Sequence, residues 1–288
     1  MLGLLRRNLR LYFGDRSGVL FSLLGALIAF VLYIVFLKHN MSLSWGNIPH
    51  KNELLDNWLI GGTLATTAIT TTGHATSLAV MDREKGRLVD LMLTDIHPAN
   101  IQATYIFNGM IVGTIMQLVM LLGLATYFRI TDQLGFDWSL TPQLLIVMVL
   151  NAATGTSFNV LIQSFIRRMS TLSTVHSLLG TAAGFFVGVY MPIGMLPKAA
   201  QHLIEWTPAP YSASLYRRIL LSQPLRDTFN GHSVAQTTFE KSMGIGININ
   251  GLTTWTTDTI ILCACSFIFA IIIGIVAHRS QLLAVQRS

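Results

Sequence analysis

The sequence has 288 residues, of which 52% are hydrophobic and only 11% are charged, and its formal net charge is +6. A soluble domain carries about a quarter of its residues as charges, and the mean hydropathy of this chain is +0.56. The two cysteines, Cys263 and Cys265, supply neither a disulfide framework nor a metal-ligand set. The composition excludes a soluble enzyme, a secreted disulfide scaffold and a disordered chain, and it predicts a polytopic membrane protein.

Residues 1–16 combine apolar and basic side chains at helical spacing. Leu2, Leu5 and Leu9 recur along the segment, with Arg6 and Arg10 beside them. The pattern predicts a helix that lies in the membrane interface with its arginines at anionic headgroups. The alternative is that the arginines only set the topology.

Six apolar runs are long enough to cross a bilayer, which needs roughly 20 residues. They are residues 17–37, 57–81, 103–128, 143–166, 171–191 and 259–277, and none contains Lys, Arg, Asp or Glu. Eleven lysines and arginines fall on the side of the N-terminus and only three in the short loops opposite. The positive-inside rule therefore predicts two cytoplasmic termini. We expect residues 1–288 to form one all-α domain of six transmembrane helices in the plasma membrane.

The loop of residues 82–102 is longer than a simple reversal of direction requires. Its acidic and basic residues alternate, Leu88 and Leu91 recur at helical spacing, and Pro98 ends any helix before it. We expect a short amphipathic helix over Glu84–Thr94 that docks on a cytoplasmic partner. A helix lying on the membrane surface explains the same pattern.

Polar side chains form stripes inside two of the spans. In the second span the stripe is Thr63, Thr67, Thr70, His74 and Ser77, and in the fourth it is Asn151, Gly155, Asn159 and Gln163. Polar groups in hydrocarbon need partners or water. Each stripe therefore indicates either the wall of a pathway or hydrogen bonds between helices, and the second interpretation is favoured for the fourth span.

The fifth span and the segment after it carry glycine and proline signals. Gly180, Gly184 and Gly188 form two overlapping G-x-x-x-G units, which let two helix backbones approach closely. In the segment 192–258, Pro192 and Pro197 break the fifth helix, and the helices that can follow are too short to span. They are expected to re-enter the membrane shallowly or lie flat; a plain folded outer loop is the alternative.

Two stretches resemble a known family. EKGRLVDLMLTDIHPANI, residues 84–101, is similar to the first intracellular loop of the ABC type-2 exporter permeases. GVYMPIGMLPKAAQHLIEWTPAPYSASLYR resembles the family's signature after the fifth span, and its matching positions are Gly188, Pro192, Pro197, Pro208, Pro210 and Tyr211. The sequence TPAPY departs from the single proline and leucine that commonly precede this tyrosine.

The resemblance implies roles for these residues. It implies ATPase coupling for Glu84, Lys85, Gly86, Arg87, Asp90, Leu91 and Thr94, and an outer gate for Pro192, Pro197, Pro208, Pro210 and Tyr211. It places the stripe of the second span, from Thr63 to Ser77, at the substrate cavity. It implies that the second and fifth spans, the latter with Gly180, Gly184 and Gly188, meet a second permease subunit in a homo- or heterodimer.

Three classes of function were considered: a secondary transporter, an intramembrane enzyme and an ABC permease. The ABC permease accounts for more of the sequence features than the other two. A secondary transporter needs a coupling carboxylate inside a span, and an intramembrane enzyme needs partners for His74 and His176. The sequence supplies neither, and it contains no G-x-x-x-x-G-K-[ST] run for ATP. We expect a non-enzymatic subunit that binds no cofactor, metal or nucleic acid, with ATP and magnesium on a partner P-loop ATPase. The expected substrate is an amphiphilic or hydrophobic compound, as in the drug and antimicrobial-peptide exporters; a lipid-linked polysaccharide is the alternative.

Overall fold

A computed structural model describes residues 1–45, 48–93, 96–249 and 251–285 and shows an all-α membrane protein. In chain order the helices are α1 (Leu2–Gly14), α2 (Arg16–Ser22), α3 (Leu24–Leu32), α4 (Lys38–Ser44), α5 (Lys51–Glu84), α6 (Arg87–Met92), α7 (Pro98–Thr131), α8 (Thr141–Ser164), α9 (Met169–Phe186), α10 (Lys198–Glu205), α11 (Ala209–Leu220), α12 (Ser222–Phe229), α13 (Ser233–Met243) and α14 (Trp255–Val285). A π-helical turn, Tyr33–Leu37, joins α3 to α4. Within the described residues the extended structure is one isolated bridge, between Asn248 and Leu252.

Four helical segments in the described part of the chain are long and apolar enough to cross a membrane. They are Leu24–Leu43, Pro98–Thr131, Trp138–Ser164 and Trp255–Val276. These agree with the first, third, fourth and sixth predicted spans. The second and fifth predicted spans correspond to α5 and α9, which are helical but contain many hydroxyl side chains, so the count of six spans stays a prediction.

Helix α5 is the centre of the bundle. It packs against α3, α7, α8, α9 and α11, and its middle section is buried almost throughout, threonines included. Large apolar side chains such as Trp58, Leu59 and Leu64 join it to the main core. A helix buried on all sides needs no single apolar stripe. Its threonines tolerate burial because their hydroxyls donate to carbonyls of their own helix.

Local chemistry sets several helix ends. Pro98 begins α7 and Pro142 lies in the first turn of α8, where a missing N–H costs nothing. Helix α9 ends at Phe186, before the predicted limit of 191, and Gly188 follows with a φ of 69°. A left-handed glycine after a helix is a common terminator.

The first predicted span and the helix predicted over Glu84–Thr94 differ from expectation in detail. The first predicted span, 17–37, is interrupted at Leu23, between α2 and α3. The single helix expected over Glu84–Thr94 is not formed: α5 continues to Glu84, Gly86 adopts a φ of 74°, and a separate helix of six residues follows. The positive φ at Gly86 turns the chain, which a continuous helix does not allow. Thr94 lies outside the described residues.

Candidate functional site

A cavity of about 670 Å³ lies between α2, α3, α5 and α9. Thr70 and His74 of α5 and His176 of α9 form part of its polar wall, while Ile28 and Phe185 belong to its apolar wall. This volume is within the usual range of ligand sites, about 300–1,000 Å³. The structure therefore contains an amphipathic cavity at the side of the central helix.

The stripe predicted on the second span is divided by the structure. Thr70 and His74 line the cavity, whereas Thr63, Thr67 and Ser77 are buried in the bundle and are not among its lining residues. The Oγ1 of Thr67 donates to the carbonyl of Thr63 at 2.7 Å, and Ser77 donates to the carbonyl of His74 at 2.7 Å. These hydroxyls satisfy themselves on their own helix. A role of the stripe in a pathway stays a prediction, and two of its five members line the cavity.

The polar residues of the fourth span bind neighbouring helices. Asn159 Nδ2 donates to the carbonyl of Ile69 at 2.9 Å, and Gln163 Nε2 donates to the carbonyl of Gly73 at 3.0 Å. Asn151 Nδ2 donates to Gln117 Oε1 at 3.2 Å. The predicted hydrogen bonds between helices are therefore present, and Asn159 also lines the cavity.

Helix α9 exposes a face rich in hydroxyl groups, which the sequence reasoning missed. Its exposed members are Ser170, Thr171, Ser173, Thr174, Ser177 and Thr181. Hydroxyls on a membrane helix are expected to face water or another protein rather than lipid. The signal was visible in the sequence as a run of Ser and Thr over residues 170–181.

The three glycines of the fifth span contact their own chain. A Cβ on Gly184 would overlap the Tyr190 ring, and one on Gly188 would overlap the Ile193 side chain. The carbonyl of Gly180 lies 3.1 Å from where a Cβ on Gly25 would be. Close packing within one subunit thus explains Gly184 and Gly188, whereas a Cβ on Gly180 would meet only Thr70, at an ordinary 3.9 Å. A contact of the three glycines with a second subunit stays a prediction.

A buried ion cluster, unnoticed in the sequence, forms at the end of the bundle that carries α1 and α6, called here the α6 end. Arg7 Nη1 and Nη2 donate to the two Asp82 carboxylate oxygens at 2.7 and 2.8 Å, and the Tyr105 hydroxyl donates to Asp82 at 2.7 Å. Burial acts to raise the pKa of Asp82, but the hydrogen bonds from Arg7 and Tyr105 and the charges of Arg7 and Arg87 hold it below its ordinary value. The cluster joins α1, α5 and α7.

Helix α6 rests on this cluster with one face and exposes the other. Leu88 and Leu91 pack with Leu4, Ile101 and Tyr105. On the outer face Val89 is 63% exposed, and Leu93 just beyond the helix is 82% exposed.

Some of the residues predicted to couple to the ATPase are exposed, and others face the bundle. Lys85, Gly86, Arg87 and Asp90 are exposed, while Leu91 faces the bundle. The Glu84 carboxylate accepts a hydrogen bond from the backbone N–H of Met169 at 2.8 Å. Glu84 therefore caps the start of α9 and is tied to its own chain.

The predicted outer-gate residues shape two short helices at the opposite end. Pro192 precedes a turn, Ile193–Met195, and Pro197 precedes α10. Pro208 and Pro210 flank the start of α11. The Tyr211 hydroxyl donates to the carbonyl of Glu205 at 2.7 Å, linking α11 to α10.

Arg217 of α11 is fully buried, and no sequence signal indicated it. Its Nη2 donates to the carbonyl of Gly188 at 3.1 Å and its Nη1 to that of Gly244 at 3.3 Å. The guanidinium also stacks on the Trp58 ring, 4.5 Å from the centroid. Backbone carbonyls and an aromatic face surround this charge, so Arg217 holds α11 to α5 and to the turn after α9.

The structure is that of a helical membrane protein with a central buried helix, a cavity at its side, an amphipathic surface helix at one end and short helices at the other. The family model described as ABC-2 type transporter matches residues 1–221, from α1 to the end of α11. The chain belongs to the ABC-2 type transporter family. No curated protein matches it. The chain is thus a membrane-spanning permease of the kind that works with an ABC ATPase subunit.

Proposed function

We propose that the chain is the permease subunit of an ATP-driven exporter that moves an amphiphilic or hydrophobic compound out of the cytoplasm or the inner leaflet. The observation that carries this proposal is the amphipathic cavity between α2, α3, α5 and α9. Its apolar wall suits a lipid-like or drug-like molecule better than a long polysaccharide, which is hydrophilic throughout. ATP and magnesium bind the partner ATPase.

The partner ATPase docks on the exposed face of α6, with the α6 end in the cytoplasm. Val89 and Leu93 offer apolar contacts there, flanked by the charges of Lys85, Arg87 and Asp90. An apolar centre with a polar rim is the usual anatomy of a protein interface. The ion cluster beneath α6 connects the docking surface to three longer helices.

A second permease subunit covers the hydroxyl face of α9. The motivating observation is the exposure of six Ser and Thr side chains on one membrane helix. In a dimer these groups face the partner permease or a shared aqueous route. This suits the serines and Thr171 in particular, because Thr174 and Thr181 already donate to the carbonyls of Ser170 and Ser177 on their own helix. Thr70 and His74 line the same route from α5, and the proline-bounded helices α10 and α11 close it at the outside.

The test is reconstitution with the cognate ABC ATPase. We expect the two subunits to co-purify, and we expect ATP hydrolysis to depend on the permease and to rise with an amphiphilic substrate. Val89→Asp places a charge in the apolar centre of the docking face and should abolish co-purification. Val234→Asp is the matched control, because Val234 is a helical valine on α13 that is even more exposed than Val89. Co-purification that survives Val89→Asp as it survives the control refutes docking through α6.

A further inference from the structure

A second cavity, called here the α14 slot, lies between α5, α8, α9, α14 and the turn that joins α10 to α11. Its volume is about 350 Å³, and Phe158 of α8, Ala182 of α9 and Phe269 of α14 form part of its wall. The rings of Phe158 and Phe269 lie against each other, with 5.8 Å between their centroids. Ile69 and Leu179 line both the slot and the cavity described above, so the two cavities are neighbours.

The polar side chains of the slot already have partners within the chain. The pairs are Asn151 with Gln117, Thr154 with Ser266, Thr207 with the Ile204 carbonyl and Ser212 with the Pro208 carbonyl. Among the described lining residues there is no Lys, Arg, Asp, Glu or His. A polar ligand would give up its water here without gaining hydrogen bonds, which is costly. The slot therefore suits a hydrocarbon.

The slot lies at the middle of the membrane. Ile69, Thr154 and Phe269 are within one residue of the centres of the predicted spans 57–81, 143–166 and 259–277. Next to Phe269, Phe267 is 69% exposed and Ile268 is 52% exposed. At this depth the surroundings of an exposed apolar face are the hydrocarbon chains of lipids.

The proposed second permease does not cover the slot. At 3.6 residues per turn, the slot positions Ala182 and Phe186 lie on the side of α9 opposite to Ser170, Ser177 and Thr181. A partner on the hydroxyl face of α9 thus leaves the slot facing the lipid.

The dimensions of the slot match a single hydrocarbon chain. A dry cavity of about 150 Å³ takes up one benzene ring, so about 350 Å³ accommodates roughly 14 carbon atoms. Along α8 the lining runs from Asn151 to Phe158, which is about 10 Å at 1.5 Å per helical residue. The hydrocarbon of one leaflet is about 15 Å deep. Most of one acyl chain fits, whereas a lipid headgroup does not.

We propose that the α14 slot binds the acyl chain of one membrane lipid, with the end of the chain at Phe158 and Phe269 and the headgroup outside the cavity. An empty void would cost its lining the dispersion contacts that a chain restores. The bound lipid joins α8 and α14 to α9. This site does not depend on which compound the permease transports.

The proposal is tested by measuring how much lipid the purified full chain retains. The chain is loaded with phosphatidylcholine and exchanged into a lipid-free, steroid-based detergent, which has no flexible chain to compete for the slot. We expect native mass spectrometry to show about one retained lipid per chain, since the slot holds one acyl chain. Complete loss of lipid from the wild-type chain overturns the proposal.

Photolabelling then locates the retained chain. Two phosphatidylcholines carry a diazirine either at the end of one acyl chain or beside its ester group. After the detergent exchange, the probe at the chain end should label peptides containing Phe158 or Phe269 several-fold more than the probe beside the ester. Equal labelling by the two probes, or labelling confined to other peptides, overturns the proposed placement.

Variants separate the slot from lipid held elsewhere on the surface. Ala182→Phe fills the slot and should remove the retained lipid, whereas Ala264→Phe, at an exposed position of α14 outside the lining, should keep it. Removal of phosphatidylcholine should lower the unfolding temperature of the wild type and of Ala264→Phe but not of Ala182→Phe, because a ligand stabilises only a chain that binds it. If Ala182→Phe does not fold, Phe269→Trp fills the same slot with a smaller change. Lipid retention that is equal in the filled and control variants refutes the site, as does a dimer that excludes lipid from the slot.

Discussion

Replacement of Asp82 tests how strongly the ion cluster holds α1, α5 and α7 together. Asp82→Asn preserves the size of the side chain but removes the charge that pairs with Arg7 and accepts from Tyr105. A hydrogen bond to a charged group contributes about 1.5–3 kcal/mol. Loss of one partner of a fully buried pair costs about 3–5 kcal/mol, but the Arg7 side chain is 31% exposed. We expect a loss of about 2–3 kcal/mol in the free energy of unfolding.

A double-mutant cycle isolates the pair. Unfolding of the purified chain in mixed micelles is followed by tryptophan fluorescence for wild type, Asp82→Asn, Arg7→Gln and the double variant. We expect a coupling energy of about 1–2 kcal/mol, because the bidentate bond is lost in either single variant. The matched cycle with Arg87, which is 3.9 Å from Asp82 and half exposed, should give less than about 0.5 kcal/mol. Additivity of the Arg7 and Asp82 changes would refute the pairing.

The same pair gives a pH dependence with a defined sign. The pKa of Asp82 is lower in the folded chain than the ordinary aspartate value of about 3.9. Its stabilisation is complete above that ordinary value and is lost only as the pH falls through the lower folded pKa. The difference between wild type and Asp82→Asn should therefore be constant from pH 8 to pH 5. A difference that shrinks within this range would contradict an ionised, paired Asp82.

Two further predictions concern single packing contacts. Glu84→Ala removes the cap on the first N–H of α9 and should cost about 1 kcal/mol in unfolding free energy, whereas Lys85→Ala on the adjoining turn should cost less than half as much. Gly184→Ala forces a Cβ into the Tyr190 ring and should destabilise by about 1–3 kcal/mol. Gly123→Ala, which meets open space, should change stability by less than about 1 kcal/mol; equal effects at the two glycines would refute the intrachain contact.

The sequence predicts the helices well because local chemistry determines them. Apolar runs of membrane length and prolines at helix starts, as at Pro98 and Pro142, act over a few residues and can be read directly. The boundary at Gly86 was missed because glycine is compatible with both a helix and a left-handed turn. Only the packing of the following leucines on the bundle decides between them.

The buried charges could not be predicted, because their partners are distant in the sequence. Arg7 and Asp82 are 75 residues apart, and Arg217 and Trp58 are 159 residues apart. Arg7 belongs to a row of arginines that topology already explains, and Arg217 has an equally basic neighbour in Arg218. No spacing rule distinguishes the buried member, since burial follows from the packing of whole helices.

The threonine stripe of α5 is the clearest case in which the sequence pattern predicts a shared helix face but only the packing decides which of its residues reach the cavity. All five members lie at helical spacing, so the sequence treats them as one face. The structure separates Thr70 and His74, in the cavity wall, from Thr63 and Thr67, which are completely buried. In a chain with Cys263 and Cys265 replaced, single cysteines at 70 and 74 should react with a small water-soluble thiol reagent, and cysteines at 63 and 67 should not.

Valine substitutions test the same division through transport. Thr63→Val and Thr67→Val remove hydroxyls that bond only to carbonyls of their own helix, so each should cost no more than about 1 kcal/mol of stability and leave substrate movement unchanged. Thr70→Val has the same shape change at the cavity wall and should reduce the movement of an amphiphile with a polar head several-fold. Two outcomes would show that water and substrate reach the buried part of the stripe. In the first, cysteines at 63 and 67 react as readily as those at 70 and 74. In the second, Thr63→Val and Thr67→Val stop transport in well-folded protein while Thr70→Val does not. The cavity would then be the wrong route, because a helix face that is sealed by packing cannot be wetted without movement of the helices around it.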